Sequence, residues 1–381
     1  MKRLLIVQNV PTQFDVPLYN SLARHANFAL TVVYTQTADS AGPRYDAEIG
    51  RAPQWDHITS ESYERIDLSA QQARRPSAVV AMIADKRPDL VLISGYYPPL
   101  HRKLVMPLKR LQFRVGLRSD NTLAHSNFSG IKGLAKKLVL PFWLRRYDCW
   151  HPVGSLAQEY LEVVSRTQRP TYLFPYNVDN SWCLQRSDAF REQRDELLSS
   201  MGFSPQDFIV LGIMKWHARE DPLLLIRAFR TLLGDIPTAR LILVGDGPLR
   251  PAVETEIGDI GDRVCLPGYA PYSELPKYYA LADVFVHPAP GEPWGVSVNE
   301  AMACGVPVAV SSGVGSATDL VVEGETGVVF PAHDSAALAH TLGACMRWKG
   351  SVSTRNACLR KMANWSYEQS QASLERAVSG D

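Results

Sequence analysis

Two glutamates separated by seven residues, Glu292 and Glu300, lie in the stretch GEPWGVSVNEAMACGVPVAVS. The pattern predicts a loop that contains Glu292 and a helix that begins near Gly295–Ser297 and contains Glu300. The helix should end at Gly305, because glycine often terminates helices and the proline that soon follows cannot continue one. One carboxylate therefore precedes the helix, and the other lies about one turn inside it.

The start of this predicted helix has the properties of an anion site. Backbone amides of Gly295, Val296 and Ser297 would point out of the helix towards a negatively charged group. A carboxylate beside a phosphate is repulsive, so Glu292 and Glu300 are expected to accept hydrogen bonds from neutral hydroxyls. A nucleotide sugar supplies sugar hydroxyls, a diphosphate and ribose hydroxyls. The alternative is that Glu292 is a surface residue and Glu300 a charge on a helix face.

A second group of charged residues follows the apolar run Phe208–Ile213. In KWHAREDPLLLIRAF, Lys215 and Arg219 precede a helix whose start is signalled by Asp221 and the proline after it. Two cations near a helix amino end could clamp a pyrophosphate, because the cations and the helix dipole both favour an anion. A solvated basic loop is the alternative. In the later segment VGDGPLRPAV, Gly245 permits a tight turn, which does not by itself distinguish a ligand loop from a plain connection.

Short apolar runs alternate with longer helical patterns, and the series restarts after Phe174. Apolar strands spaced by helices are typical of parallel sheets covered on both faces. Two such series predict an α/β protein with two doubly wound domains: residues 1–178 with a C-terminal helix from 365–381, and residues 179–364. Ligands of such sheets lie beyond the carboxyl ends of the strands. The predicted strands are Leu4–Gln8, Leu30–Tyr34, Leu90–Ser94, Arg114–Leu117, Cys149–Val153, Phe208–Ile213, Arg240–Val244, Arg263–Leu266, Val284–His287, Pro307–Ser311 and Gly327–Phe330.

Composition and charge exclude several classes of protein. At 381 residues with 46% apolar residues, the chain is long enough for two cores. The net charge of +1 argues against a protein that binds nucleic acid through overall charge. No apolar run reaches the ~18–20 residues of a membrane-spanning helix, and the start MKRLLIVQNVPTQFD is expected to be a strand and not a signal peptide. The six cysteines form no C-x-x-C pair, which predicts free thiols in a reducing cytoplasm.

The stretch EPWGVSVNEAMACGVPVAVS resembles the Glu–seven residues–Glu signature of the retaining GT-B-fold glycosyltransferases of family four, the glycosyl transferases group 1. Further blocks match this family: KWHAREDPLLLIRAF, LILVGDGPLR, PGYAPYSELPKYYALADVFVHPA and GVGSATDLVVEGETGVVF. The similarity covers most of the chain and is strongest from Ile209 to Phe330. It implies a GT-B fold, in which two Rossmann-like domains face each other across a cleft. It also implies transfer of a hexose from a nucleotide diphosphate sugar to a glycan or lipid-linked glycan, in cell-surface polysaccharide or glycolipid synthesis.

The resemblance implies roles for residues of the second domain, which would bind a UDP- or GDP-sugar. Glu300 would hold the ribose, and Glu292 would contact the transferred sugar. Lys215 and Arg219 would stabilise the diphosphate leaving group. The other expected donor-binding positions are the backbone near Trp294, Gly295 and Val296, the turn at Gly245, and the segment Leu266–Tyr269, where Leu266 and Gly268 would lie near the base.

No cofactor is expected, because the family is generally metal-independent and the chain has no Asp-x-Asp pair to bind a divalent ion. Amides and cations would replace a metal in stabilising charge on the leaving group. Retention in this family is described as front-face displacement, in which the leaving phosphate helps to deprotonate the acceptor hydroxyl. A protein nucleophile is not required on that account.

Three positions depart from the family pattern. Glu220 stands where the family usually carries the second basic residue of the clamp, with Arg219 one place earlier. The first strand-to-helix loop, NVPTQFDVPLYN, lacks the glycines often found near the donor phosphate. Where a histidine often follows the fourth strand of the first domain, this chain has Asp120, which is the candidate catalytic residue of that domain. The alternatives are a catalytically silent nucleotide-sugar binding protein and a non-hydrolysing nucleotide-sugar epimerase, a class that lacks the Glu–seven–Glu block.

The segment IKGLAKKLVLPFWLRRYDCW sets five basic residues among apolar ones in the first domain. Pro141 should interrupt the pattern, which leaves at most a short helix with an aromatic tail. Basic and aromatic residues of this kind favour peripheral attachment to an anionic membrane surface at the cytoplasmic leaflet. The alternative is that Leu138, Leu140, Phe142 and Trp143 belong to the core.

Overall fold

The chain folds into two compact units, each built around a parallel sheet. The computed structural model describes residues 1–36 and 61–381. Among these, the first unit comprises residues 1–36, 61–177 and 365–381, and the second comprises residues 178–364. The prediction of an α/β protein with two doubly wound sheets is therefore confirmed.

The described part of the first unit consists of alternating strands and helices. The strands are β1 (Lys2–Gln8), β2 (Phe28–Tyr34), β3 (Glu64–Asp67), β4 (Leu90–Ser94), β5 (Arg114–Ser119) and β6 (Cys149–Pro152). The helices that accompany them are α1 (Asp15–His25), α2 (Ala70–Ala73), α3 (Pro76–Lys86), α4 (Pro99–Arg110), α5 (Gly130–Leu144) and α6 (Ser155–Ser165). The sheet order is β3-β2-β1-β4-β5-β6, and its strand pairs are parallel.

Strand β1 shows why the first sheet is covered on both faces. Its side chains Leu5 and Val7 belong to one hydrophobic core, whereas Leu4 and Ile6 belong to a second core. Successive residues of a strand point to opposite faces, so a run of apolar residues needs packed helices on both sides.

The second unit repeats this architecture. Its helices are α7 (Asn180–Arg191), α8 (Arg194–Ser200), α9 (Pro222–Asp235), α10 (Arg250–Ile257), α11 (Leu275–Leu281), α12 (Val296–Ala303), α13 (Ser316–Leu320), α14 (Ser335–Cys345) and α15 (Val352–Ala363). Its strands are β7 (Phe208–Ile213), β8 (Ala239–Val244), β9 (Val264–Gly268), β10 (Val284–His287), β11 (Val308–Ser311) and β12 (Gly327–Phe330). The order β12-β11-β10-β7-β8-β9 places the carboxyl ends of these parallel strands at one edge.

The last helix, α16 (Tyr367–Ser379), returns to the first unit. Leu374 is fully buried there, in the core that also contains side chains of β1. The Asn177 side-chain amide donates to the backbone oxygen of Ser366 and to the hydroxyl of Ser370, both at 2.7 Å. Apolar burial and these two hydrogen bonds therefore fix the end of the chain on the first sheet.

Two local features differ from the sequence prediction. Strand β3 was not predicted, because its sequence ERID is charged and lies at the sheet edge, where side chains need not be apolar. Helix α5 continues through Pro141 to Leu144, so the prediction that this proline interrupts the helix was wrong. The proline removes only the bond that its own N–H would make to the Lys137 oxygen, and Arg145 N–H still donates to the Pro141 oxygen at 3.1 Å.

All six cysteines are free thiols, and only Cys265 among them is not fully buried. In the part of the chain that the structure describes, none of the helices is both long enough and apolar enough to cross a bilayer.

Candidate active site

Glu300 is a buried carboxyl group at the carboxyl edge of the second sheet. Helix α12 follows strand β10, as predicted, and carries Glu300, which is 6% exposed. The Tyr279 hydroxyl donates a hydrogen bond to Glu300 Oε2 at 2.9 Å. Burial raises the pKa of Glu300 to about 7, and the bond from Tyr279 opposes that shift. The alternative that Glu300 is only a charge on an exposed helix face is therefore wrong.

Glu292 lies in the loop between β10 and α12, and its backbone is fixed by the loop after β11. The Glu292 N–H donates to the Gly313 oxygen at 3.0 Å, and the Glu292 oxygen accepts from Gly315 N–H at 2.9 Å. Both glycines permit this contact, because a Cβ at Gly313 would lie 2.1 Å from the Pro290 oxygen and one at Gly315 would lie 2.0 Å from the Pro293 oxygen. The block GVGSATDL therefore shapes the loop that carries Glu292.

The Glu292 carboxylate pairs with a histidine that the sequence analysis did not single out. His287 ends strand β10 and is 3% exposed, and its Nε2 lies 2.6 Å from Glu292 Oε2. Burial opposes the ionised form of both groups, but their mutual contact and the charges around them outweigh it, so the pKa of His287 is raised and the pKa of Glu292 is lowered. Glu292 is therefore ionised near neutral pH, and His287 holds its second proton to a higher pH than a free imidazole does. The available signal was a histidine at the carboxyl end of a strand, in VFVHP.

The basic loop after β7 contributes positive charge to the same neighbourhood. After burial and His287, the groups that act most on the pKa of Glu292 are Arg219 and Lys215, which lower it. Helix α9 begins beside this loop, where Asp221 caps it by accepting a hydrogen bond from Leu224 N–H at 3.2 Å. The structure thus brings the predicted clamp residues and the predicted sugar-contacting carboxylate into one charged cluster.

Glu220 is folded back onto its own loop. Its Oε2 accepts a hydrogen bond from the Lys215 backbone N–H at 2.8 Å. Burial, followed by the negative charge of Glu292, raises the pKa of Glu220. Glu220 is half-buried and shapes the loop through this bond, whereas the cations Lys215 and Arg219 both precede it in sequence and Arg219 is exposed.

Gly245 and Gly268 meet at the ends of strands β8 and β9. The Gly245 N–H donates to the Gly268 oxygen at 2.9 Å. Gly245 has φ +143°, and a Cβ there would lie 1.9 Å from the Met214 oxygen, so only glycine fits. Leu266, in β9, is partly buried against the core of the second unit. The turn at Gly245 thus joins the loops after β7, β8 and β9.

At the start of α12, Trp294 contributes a buried side chain, whereas Gly295 and Val296 contribute their backbone. Trp294 is 4% exposed, and its indole Nε1 donates to Asn299 Oδ1 at 2.9 Å, so this side chain supports the loop. Gly295 is the residue before the helix and has φ +91°, and Val296 is the first helical residue. The first amides of a helix have no acceptor within it, so this start can present N–H groups to an anion.

Asp120 belongs to the first unit, just after strand β5. It accepts a hydrogen bond from the Tyr176 hydroxyl at 2.9 Å. Arg118, two residues earlier, is buried in an ion pair with Asp15 at 2.8 Å, so its role is structural. A catalytic role for Asp120 stays a prediction.

Within residues 1–36 and 61–381, the structure contains no group of three or more His, Cys, Asp or Glu side chains placed to hold a metal ion. Independence from metals stays a prediction.

The arrangement of Glu292, Glu300 and the basic loop falls within the segment of the chain that matches a known family. Residues 205–347 match the family model described as glycosyl transferases group 1. This match covers less than half of the chain and lies within the second unit, so it shows a likeness of that unit to the family. The resemblance read from the Glu–seven–Glu block and its neighbours is therefore confirmed.

Curated relatives agree with this assignment. The chain is 30% identical over 217 residues to a GDP-mannose-dependent alpha-(1-6)-phosphatidylinositol monomannoside mannosyltransferase of Mycolicibacterium smegmatis, covering 54% of this chain and 55% of the relative. It is 26% identical over 278 residues to a lipopolysaccharide core biosynthesis mannosyltransferase of Rhizobium meliloti, covering 70% and 72%. A D-inositol 3-phosphate glycosyltransferase of Streptosporangium roseum is 31% identical over 42% of this chain and 40% of its own length. The chain spans about half the length of the first and last of these relatives.

Solved structures extend the likeness in fold to the whole chain. Sucrose-phosphate synthase from Thermosynechococcus elongatus superposes with a TM-score of 0.71 at 20% identity, covering 100% of this chain and 99% of that one. Anabaena HepE, solved in complex with UDP and glucose, superposes with a TM-score of 0.72 at 14% identity and full coverage of both chains. The GT-B fold is therefore confirmed.

The raised pKa of Glu300 predicts a pH-dependent loss of stability. A carboxyl group whose pKa is higher in the folded protein binds a proton that the unfolded chain has released, so stability falls as pH rises from about 4.5 to about 7. The difference of about 2.5 pH units corresponds to about 3 kcal/mol. Glu300→Gln keeps an acceptor for Tyr279 without the titration. Urea unfolding should show the variant gaining stability relative to the parent across this range, with no further gain above it.

The matched control is Glu323→Gln, at an exposed carboxylate of the same unit. Its unfolding free energy should follow that of the parent with pH. A Glu300→Gln curve that stays parallel to the parent from pH 4.5 to 8 would show that Glu300 ionises as freely in the folded chain as in the unfolded one.

Proposed function

We propose that this protein is a retaining hexosyltransferase that moves a hexose from a UDP- or GDP-sugar to a glycan or lipid-linked glycan. The observation that carries the proposal is the pairing of two carboxyl groups in different states on one short segment. Glu300 is buried beside the Tyr279 hydroxyl, and Glu292 is ionised against His287 and near two cations. Such a site can accept hydrogen bonds from hydroxyls at two points while holding a diphosphate on cations and amides.

The charges suit departure of a nucleoside diphosphate. As the sugar–oxygen bond breaks, negative charge grows on the diphosphate, and groups already aimed at that charge stabilise the transition state. Lys215, Arg219 and the first amides of α12 are the groups available for this task. Glu292 is engaged by His287 at 2.6 Å, which favours a role in holding a sugar hydroxyl over a role as nucleophile. We therefore favour displacement on one face, with the leaving phosphate taking the acceptor proton.

The acceptor is proposed to be a glycan or a lipid-linked glycan. Relatives named for a phosphatidylinositol mannoside and for lipopolysaccharide core support this substrate class. The first unit also has an exposed apolar surface, which supports a lipid-linked acceptor. Helix α5 presents Ile131, Leu134, Leu138 and Phe142 on one face, between 59% and 89% exposed. These four side chains are called the α5 apolar face below.

Charge beside the α5 apolar face points to an anionic bilayer as its partner. Lys136 and Lys137 are exposed on the same helix, and the Arg146 guanidinium lies 3.9 Å from the centroid of the Phe142 ring. An amphipathic helix with cations beside exposed apolar groups can lie in the interface of a membrane that carries negative headgroups. We therefore propose peripheral attachment of the first unit to the cytoplasmic leaflet. The alternative that Leu138 and Phe142 are core residues is wrong, since both are exposed.

A second candidate function is that of a silent nucleotide-sugar binding protein. The observation that favours it is Glu220, a half-buried acid that accepts a bond from Lys215 N–H and stands where the resemblance to the family implies a cation. Negative charge there would oppose a diphosphate. The retained cations Lys215 and Arg219 favour the transferase.

Nucleotide release tests the transferase directly. The protein should liberate UDP or GDP from one of a series of UDP- and GDP-hexoses when glycan or lipid-linked acceptors are supplied, and proton NMR of the product should show the anomeric configuration of the donor. Glu300→Ala should weaken binding of the nucleoside diphosphate roughly tenfold or more, because the hydrogen bonds from the ribose hydroxyls to this carboxyl group are lost. Glu292→Ala should lower turnover while the nucleoside diphosphate still binds.

Isothermal titration with UDP and GDP separates these two effects from misfolding. Val352→Ser, at an exposed side chain of α15, is the control that should bind and turn over as the parent does. Parent-like binding and turnover in both glutamate variants would refute the site.

Glu220→Lys distinguishes the transferase from the silent binder. In a working enzyme the loop is shaped by the bond from Lys215 N–H to Glu220, so the substitution should leave activity unchanged or lower it. The measurement is nucleotide release under the same conditions. A large gain of activity, from a parent that binds the donor without turning it over, would favour the silent binder.

Vesicle co-sedimentation tests the membrane proposal. The protein should pellet with phosphatidylglycerol-containing vesicles at low salt, and less as salt rises, but little with neutral vesicles. Lys136→Ala with Lys137→Ala should weaken partitioning about 30-fold, at about 1 kcal/mol for each cation. Leu134→Ser, Leu138→Ser and Phe142→Ser together should abolish it, whereas Val352→Ser in the other unit should have no effect. Absence of the parent from the anionic pellet at low salt would rule the proposal out.

A further inference from the structure

His287 is buried at the point where strand β10 gives way to the loop of Glu292. Both of its ring nitrogens have partners: Nε2 lies 2.6 Å from Glu292 Oε2, and Nδ1 lies 3.3 Å from the Ser297 hydroxyl. The ring also stacks on Phe285, with an interplanar angle of 19°. A ring held on three sides has one orientation, and in that orientation one nitrogen is aimed at the carboxylate expected to contact the sugar.

Two carboxylates from different loops act on this ring. Glu292 belongs to the loop after β10, and Glu220 belongs to the loop after β7. Burial by itself would lower the pKa of His287, but the contact with Glu292 and the charge of Glu220 outweigh it, and the pKa is raised. Helix α12 contributes Ser297, which does not titrate, and its hydroxyl oxygen can accept from Nδ1–H. A doubly protonated ring therefore satisfies both of its partners.

The short contact has the geometry of a charge-assisted hydrogen bond, which is stronger than one between neutral groups. The nearby cations Lys215 and Arg219 lie on a loop that Glu220 shapes, and Arg219 is exposed. Among the described residues, His287 is a buried side chain that contacts Glu292 and can carry a positive charge. Its charge would also offset that of Glu220, the acid that stands where the resemblance to the family implies a cation.

We propose that His287 is a positioning residue whose protonated ring fixes the Glu292 carboxylate and offsets the negative charge of Glu220. This proposal rests on the proposed function only in assigning Glu292 to the sugar. Its structural part concerns the charge of one imidazole and stands apart from any turnover. Loss of the charge as pH rises would weaken the hold on Glu292 and leave the charge of Glu220 without its offset, so turnover should fall on the alkaline side of the pH profile while donor binding through Glu300 persists.

Histidine NMR of the full chain tests the charge without any substrate. With the ring nitrogens labelled with ¹⁵N, one of the nine histidines should keep both N–H groups to a pH above the usual range of imidazole. That signal should be absent in His287→Gln. Its titration should move to lower pH in Glu292→Gln and in Glu220→Gln, because each removes one of the two carboxylates. His340→Gln, at an exposed position of α14, should leave it unchanged.

Kinetics then test the positioning. His287→Gln can still donate one hydrogen bond but carries no charge, so kcat should fall at least tenfold, within the roughly 100-fold loss that a small misplacement causes. The KM for the donor should change little, and the alkaline fall of kcat seen in the parent should disappear. His340→Gln should keep the parent profile.

The NMR titration and the kinetics together separate the charge assigned to His287 from the proposed transferase function. A parent that transfers no sugar yet shows the raised histidine titration refutes the function and keeps the charge assignment. A His287 ring that is neutral at pH 7, seen in the parent itself and so independent of how any variant folds, overturns the proposal. It is also overturned if His287→Gln retains the parent's kcat and pH profile.

Discussion

Burying a carboxylate costs free energy unless it is paired with a cation or holds its proton, and one short segment of the second unit carries a buried carboxyl group and a half-buried one. Glu300 meets the constraint by retaining its proton near neutral pH and by accepting a bond from Tyr279. Glu292 meets it by pairing with His287. The conformations of the neighbouring loops are constrained in turn, because each loop must supply charge or hydrogen bonds to the two carboxyl groups without a steric clash.

The loops that surround the site are held by backbone contacts more than by side chains. The chain at Glu292 lies against the loop after β11, and Gly313 and Gly315 allow the two backbones to approach. Gly245 and Gly268 join the loops after β8 and β9 in the same manner. A rigid backbone frame of this kind keeps the carboxyl groups in place before any ligand arrives, which is the condition for electrostatic stabilisation of a transition state.

The first unit uses its sheet for a different purpose. Its core is closed by the end of the chain, through the buried Leu374 of α16. Its outer surface carries the α5 apolar face, which the core does not need. A stable sheet can therefore present an exposed helix to a partner, since the free energy of folding comes from other side chains.

The sequence determined the elements with a strong local pattern. Continuous apolar runs define buried parallel strands, so the bounds of Phe208–Ile213, Val284–His287 and Gly327–Phe330 were predicted without error. The start of α12 and the place of Glu300 in it also followed from local signals, since Gly305 and the proline after it end the helix. The position of the basic residues just before α9 was also predicted, because the signals that start this helix lie next to them in the chain.

Tertiary structure decided what depends on contacts distant in sequence. The charged strand β3 exists because β2 offers it an edge, and nothing in ERID itself requires a strand. The helix continues past Pro141 because the proline removes only one hydrogen bond, and the bond from Arg145 N–H to its oxygen remains. The pairing of His287 with Glu292, and of Glu220 with Lys215, depends on how the loops after β7 and β10 meet at one edge of the sheet. Residue types and spacing name the groups that can carry charge, but the state of each group follows from burial and from its partner, and both arise only when the strands assemble.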